Sequence, residues 1–230
     1  TICSEAWREP LSPPCGVAFS FLECRVQFVP RPYQPAATDF VLNVKRSMLL
    51  MRMGGGKTPV LLDAISQLLI FNEVKRVLVL GPKRVAQYTW LDEVKQFNES
   101  FGHMSIAAAI GTPAQRLAAV KSNPQILTIN YENLPWILDG YGDRWPFDMV
   151  VADECGKIAG HRVGMRTSVN GNEFTAGQGS VRAAAFANVA HKYVRRYCGL
   201  NGSPAPNGLA PLWGQVFFID GGQRLGRSFS

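Results

Sequence analysis

The 230-residue sequence contains no apolar run near the roughly 18 residues that a bilayer-crossing helix requires. Its early stretch GVAFSFL is too short, and has no basic region ahead of it to read as a leader. Neither a membrane span nor a signal peptide is expected, which makes a cytoplasmic, intracellular setting the expectation. Cysteine is sparse: five residues, Cys3, Cys15, Cys24, Cys155 and Cys198, are odd in number, scattered, and form no CxxC pair. That pattern excludes a disulfide framework and a zinc site and fits a reducing compartment. No internal repeat is visible. Acids are also short, with 17 Asp and Glu against 24 Lys and Arg, for a net charge of +7. The imbalance is local. Between Gly156 and Leu200, seven bases (Lys157, Arg162, Arg166, Arg182, Lys192, Arg195 and Arg196) face the single acid Glu173, leaving +6 of the +7. Such a segment points toward a polyanionic partner, although solvated basic loops are common.

What is present is enough for a core. At 47% hydrophobic content, the chain is long enough for one large domain or two small ones. From about residue 33, short apolar runs alternate with helical patterns: SMLLM, RVLVL, MSIAAAI, QILTI, DMVVA and YCGLN read as strands. Runs this apolar belong to a sheet covered on both faces, so an α/β, three-layer domain with a mainly parallel central sheet is expected. TPVLLDAISQLLIFN and RVAQYTWLDEVKQFN repeat apolar residues at three and four positions and read as amphipathic helices. Residues 1–28, rich in Pro and Cys without periodicity, read as an irregular extension ahead of a domain over 29–230. The stretch 161–180, rich in Gly, Ser, Thr and Asn, reads as a long mobile loop.

MRMGGGKTPV, residues 51–60, has the chemistry of a phosphate cradle. Gly54, Gly55 and Gly56 let backbone N–H groups converge on an anion, Lys57 can reach outer phosphates, and the Thr58 hydroxyl can hold magnesium. The loop follows a strand and opens a helix, whose N-terminus adds partial positive charge, and Pro59 is tolerated in that first turn. A full phosphate-loop pattern would begin with glycine where Met51 stands; a plain glycine turn is the alternative. MVVADEC supplies the acidic partner at another strand end, with Asp153 for the metal and Glu154 to activate water.

These residues resemble the first RecA-like, P-loop NTPase lobe of superfamily-two helicases and translocases, specifically the Swi/Snf-type branch found in many phage and prophage proteins. The likeness runs over residues 30–230: RPYQ (31–34) resembles the Q motif, MGGGKT motif I, GPKRVAQYTW (81–90) motif Ia, DECG motif II, and GLNGSPAPN (199–207) motif III. It implies ATP and Mg2+, with Gln34 on the adenine edge, Arg31 and Tyr33 framing the base, Lys57 and Thr58 on phosphate and metal, and Asp153 and Glu154 on metal and water. Gly202, Ser203 and Pro204 would couple nucleotide state to domain closure. Lys83, Arg84 and Gln87 would meet a nucleic-acid backbone without reading bases. Trp90 reads as core. Asn130, in INYENL, is a weaker track candidate, for which strand-end capping serves equally well.

Three departures from the family pattern stand out: Gly156 in place of a signalling side chain in motif II, and Asn201 and Ser203 in place of threonines in motif III. The resemblance also implies a second RecA-like lobe, in cis or trans, whose arginine stabilises the transferring phosphate; that lobe is absent from this sequence, where DGGQRLGRSFS reads as the start of a linker toward it, so nucleotide binding with weak or absent hydrolysis is the expectation. Loss of such an arginine costs about 10³ to 10⁵ in turnover. The implied function is the ATP-binding lobe of a DNA translocase or helicase. Double-stranded DNA is the favoured track and RNA is left open, since no base-reading motif is present. The alternatives are a non-catalytic nucleotide or DNA-binding module that borrows its second lobe, and a P-loop kinase, against which the Q motif and DExx box argue.

Overall fold

A computed structural model describes residues 25–158, 162–167, 173–178, 181–203 and 210–226. In chain order they form α1 (Gln34–Asn43), β1 (Arg46–Leu50), α2 (Lys57–Ile70), β2 (Val77–Gly81) and a π-helical turn (Val85–Thr89) leading into α3 (Trp90–Gln96). Then come α4 (Asn98–Phe101), β3 (Ile106–Ala108), α5 (Pro113–Lys121), β4 (Ile126–Asn130), α6 (Leu134–Tyr141) and β5 (Met149–Asp153). The remainder comprises β6 (Arg162–Thr167), β7 (Glu173–Gln178), α7 (Val181–Ala190), β8 (Arg196–Asn201) and α8 (Ala210–Asp220).

All six apolar runs are strands of one parallel sheet, ordered β1-β8-β5-β2-β4-β3. Side chains alternate across it. Val77 and Val79 of β2 join Val60, Leu61 and Ile65 of α2, whereas Leu78 and Leu80 join Phe186 of α7 and Phe218 of α8. Every residue of β2, β4 and β5 is buried, because helices cover both faces. The run MSIAAAI contracts to three strand residues because β3 is an edge strand pairing only with β4. Arg46 ties two helix ends to the sheet: its guanidinium donates to the carbonyls of Ala190, the last residue of α7, of Val194 beyond it, and of Phe218 and Ile219 in the last turn of α8.

Residues 161–180 depart from the expected loop. β6 and β7 form an antiparallel ladder from Arg162 opposite Gln178 to Thr167 opposite Glu173. The apolar alternation is short, Val163 and Met165 in β6 and Phe174 and Ala176 in β7, and the Gly, Ser, Thr and Asn content of the stretch outweighs it in a sequence reading. The helix expected over 84–98 is also interrupted, by the π turn and by a break at Phe97. Packing onto the domain starts at Val26. The Val26 and Phe28 backbone N–H groups donate to Asn98 Oδ1 and Ser100 Oγ, and the Phe28 ring lies 5.4 Å from Phe97 and 5.5 Å from Phe101, centroid to centroid. Residues 1–24 fall outside the described residues.

Candidate functional site

Because the six strands are parallel, their C-terminal ends line one edge of the sheet, and the strand order divides that edge. The half formed by β1, β8 and β5 carries the glycine loop, Asn201-Gly202-Ser203 and Asp153-Glu154. The half formed by β2, β4 and β3 carries Pro82-Lys83, Asn130 and Gly111.

The glycine loop has the backbone that its glycines permit. Gly54 and Gly56 lie at φ +73° and +76°, and Gly56 caps α2 in the left-handed conformation. A Cβ on Gly56 would fall 2.3 Å from Gln34 Nε2, and one on Gly55 3.0 Å from the Arg52 carbonyl. Gln34 explains the first distance. It is 3% exposed, accepts from the Arg31 N–H through Oε1 (2.7 Å) and donates through Nε2 to the Gly55 carbonyl (3.1 Å). Tyr33 donates to the same carbonyl at 3.0 Å, with Arg31 Nη1 3.4 Å from its hydroxyl. Gln34 is therefore first a support for the loop, with one amide proton and one lone pair left over. Lys57 Nζ is folded back on the carbonyls of Met51 (3.1 Å) and Arg52 (3.3 Å), and Thr58 is buried in the first turn of α2.

Asp153 ends β5, 7% exposed. Burial raises its carboxyl above the ordinary range, and the neighbouring Glu154 charge adds to the rise; a hydrogen bond from Trp90 and the Lys57 charge oppose it. Trp90, read from sequence as core, is indeed fully buried but also donates Nε1–H to Asp153 Oδ2 at 3.1 Å. Tyr131 donates its hydroxyl to the Asp153 carbonyl at 2.6 Å. Glu154 turns the chain at φ +54°, a conformation that costs a non-glycine residue about 1 kcal/mol or more, and its half-exposed side chain lies 4.0 Å from Lys157 Nζ. The adjacent Cys155 thiol is pushed up to about 12 by burial and stays protonated, so it is no nucleophile.

The departures at 156 and 201 meet each other. A Cβ on Gly156 would lie 3.3 Å from Asn201 Nδ2, so the glycine leaves room for the larger motif III side chain. Asn201 Nδ2 donates to Gln215 Oε1 of α8 (3.0 Å), which also lies 3.3 Å from Cys155 Sγ; Gln215 thus joins motifs II and III. No sequence motif marks Gln215. The glycine loop is tied in as well, through Met51 N–H to the Asn201 carbonyl at 3.2 Å. Gly202 and Ser203 are exposed, with Ser203 N–H donating to Asn201 Oδ1 at 3.4 Å; Pro204 lies outside the described residues.

A cleft of about 770 Å³ opens over the other half of the edge. Lys83 and Asn130 line it together with Arg116 and Lys157, whereas Arg84 and Gln87 do not. The Asn130 side chain is turned to its own loop, donating to Glu132 at 2.6 Å and accepting from Asn133 at 2.6 Å, as a strand-end cap does. Arg116 carried no motif; it sits one turn into α5 behind the Thr112 capping box, above the Trp136 ring at 4.9 Å and bonded to the Gly111 carbonyl. In the basic segment, the described side chains of Lys192, Arg195 and Arg196 each have an acidic partner. Arg196 is buried on Glu73 and the Val41 and Leu42 carbonyls, Arg195 pairs with Asp148 at 2.9 Å, and Lys192 with Asp143 at 3.4 Å. Among the described side chains of that segment, only Lys157 reaches the cleft.

Comparison with known proteins bears on the family and the fold. The family model described as type III restriction enzyme, res subunit, matches residues 27–178. Among curated proteins, p41 of Acyrthosiphon pisum secondary endosymbiont phage 1 is 40% identical over 205 residues, covering 88% of this chain and 42% of its own length. The chain thus spans less than half of that relative. The Sulfolobus solfataricus SWI2/SNF2 ATPase core, solved in complex with dsDNA, superposes with TM-score 0.64 at 20% identity, covering 86% of this chain and 37% of that one. The UvsW helicase of bacteriophage T4 gives 0.53 at 16%, covering 84% and 58%. At these identities the two structures speak for the fold.

Proposed function

Because the chain belongs to the type III restriction enzyme, res subunit family of superfamily-two helicases and has the fold of their N-terminal RecA-like lobe, we propose that it binds Mg-ATP on the glycine loop and a nucleic-acid backbone in the neighbouring cleft. It would thereby serve as the ATP-binding lobe of a DNA translocase. The observation that carries this reading is the convergence of distant sequence segments at one sheet edge: the glycine loop leaves β1 bonded through the Met51 N–H to the Asn201 carbonyl at the end of β8, whose Leu200 stands in register with Asp153 at the end of β5.

The residues suit the ligand. The positive-φ glycines form a cradle that side chains would fill. Among the described residues no three His, Cys, Asp or Glu side chains gather into a metal cage, which fits a magnesium ion held by one hydroxyl, one carboxylate, water and phosphate oxygens. Thr58 and Asp153 would hold it, and bound magnesium supplies charge neutralisation at the β- and γ-phosphate oxygens. Lys57 would exchange the Met51 and Arg52 carbonyls for phosphate oxygens. Glu154, half-exposed beside Asp153, would accept the proton of the water that attacks the γ-phosphorus, while the bond to the bridging oxygen breaks and ADP leaves. Arg31 and Tyr33 would flank the adenine, and the spare amide positions of Gln34 would meet its edge.

Lys83, Arg116 and Lys157 would neutralise phosphates of the track, for which duplex DNA is favoured because the SWI2/SNF2 core was solved on dsDNA. Turnover would call for a second RecA-like lobe, in the same chain or another, to bring an arginine to the γ-phosphate. The test is magnesium-dependent ATP hydrolysis with duplex, single-stranded and no DNA, with Lys57→Ala as blank. DNA-stimulated turnover that is lost in Lys57→Ala and stalls with ATP bound in Glu154→Gln supports the proposal. Binding without turnover fits an ATP-binding lobe without its partner lobe, binding that stays without turnover in any DNA context when a second lobe is supplied would favour a non-catalytic module, and normal turnover by Glu154→Gln would displace Glu154 as the base.

A further inference from the structure

The Trp90–Asp153 bond links two parts of the edge that the proposed function treats separately. A buried indole N–H needs a partner. Trp90 finds it in Oδ2 of the carboxylate assigned to the metal, 63 positions away in sequence. The reach depends on the π turn over Val85–Thr89: one extra residue in a helical turn rotates everything after it by about 100°. In an uninterrupted α-helix the indole would swing away from β5. The turn is anchored from β4, where the fully buried Thr128 donates its hydroxyl to the Ala86 carbonyl. Lys83 and Arg84 precede this turn and Gln87 lies within it. A single short segment thus runs from the rim of the proposed nucleic-acid cleft to the metal carboxylate.

We propose that Trp90 is a positioning residue, whose indole N–H fixes the Asp153 carboxylate by Oδ2 and leaves Oδ1 for magnesium, and that the π turn conveys track occupancy to that carboxylate. The inference rests on Asp153 holding magnesium, as above. Its consequence is specific: loss of the N–H affects the magnesium-dependent part of nucleotide binding and not the part contributed by the glycine loop.

The experiment is equilibrium binding of a fluorescent ATP analogue, in EDTA and along a magnesium titration, with and without a duplex oligonucleotide. It compares wild type, Trp90→Phe, Thr128→Val and Asp153→Asn, with circular dichroism checking the fold of each. For Trp90→Phe we expect unchanged binding in EDTA, a magnesium midpoint raised about tenfold, as for loss of a hydrogen bond to a charged group, and no DNA-induced shift of that midpoint. Thr128→Val, which removes only the anchor of the turn, should move the midpoint in the same direction. A wild-type midpoint in Trp90→Phe overturns the inference while leaving the site reading intact. If Trp90→Phe does not fold, Thr128→Val decides alone, and an unchanged midpoint overturns the inference. Magnesium that fails to tighten binding in the wild type, or still tightens it in Asp153→Asn, overturns the site reading and this inference with it.

Discussion

Replacing Gly56 with alanine tests the contact between Gln34 and the glycine loop, and Gly54 provides the control. Both glycines lie at similar positive φ, +73° and +76°, so alanine at either costs about 1 kcal/mol in backbone strain. Their surroundings differ. A Cβ at 54 meets nothing within 4 Å, whereas one at 56 falls 2.3 Å from Gln34 Nε2. Gln34 must then move, losing its bonds to the Gly55 carbonyl and the Arg31 N–H at about 1 kcal/mol each. The expected destabilisation is about 1 kcal/mol for Gly54→Ala and about 3 kcal/mol for Gly56→Ala. For a chain of this length that is a loss of about 3 °C against about 9 °C in thermal midpoint. Thermal unfolding by circular dichroism reads both, and a cycle with Gln34→Ala isolates the clash, since the excess cost at 56 should vanish once Gln34 is truncated. Equal midpoints for the two alanine variants, or an excess that persists without Gln34, would refute the reasoning.

Other outcomes follow from the same geometry. His191, packed against Phe217 and bonded to its carbonyl, is held below its ordinary value of 6.5 by burial first and by the Arg46 charge second, with Asp220 opposing. The unfolded chain therefore takes up that proton more readily, and the stability associated with His191 is present above 6.5 and lost as the pH falls below it; denaturation from pH 7.5 to 5 should show the loss, and His191→Gln should flatten it. Lys83→Ala and Arg116→Ala should each weaken DNA binding for all sequences alike and reduce the slope of log K against log salt by about 0.9 per phosphate contact removed, whereas Arg195→Ala, already paired with Asp148, should leave the slope unchanged. Cys155 and Cys198, both buried with thiols pushed up to about 12, should resist iodoacetamide at pH 8 in the native protein and react on unfolding, as mass spectrometry of the labelled peptides would show.

The legible and illegible parts of this sequence divide along physical lines. Strands buried on both faces, β2, β4 and β5, announce themselves as apolar runs, and the other three strands of the sheet are readable in the same way, as is the strand-loop-helix setting of Gly54 to Thr58. The β6–β7 ladder was not, because its apolar alternation is only two residues long in each strand, Val163 and Met165, then Phe174 and Ala176, within a stretch rich in Gly, Ser, Thr and Asn. The π turn was equally hidden: RVAQYTW keeps an acceptable helical period while the backbone inserts a residue to aim Trp90 at Asp153. Counting charge within the segment could not show that Arg195 and Arg196 find their acids at Asp148 and Glu73, 47 and 123 positions away. Arg116 and Gln215 gain their roles only through the sheet order, which brings α5 to the cleft and α8 beneath motif III.

The central claim is that a nucleotide sits on the glycine loop with Lys57 on its phosphates. The most direct test is equilibrium binding of a fluorescent ATP analogue to the wild-type chain and to Lys57→Ala, each with magnesium and with EDTA. Saturable, magnesium-enhanced binding by the wild type that is lost in Lys57→Ala is the predicted result; equal binding by the two proteins, or none by either while both remain folded, would contradict it.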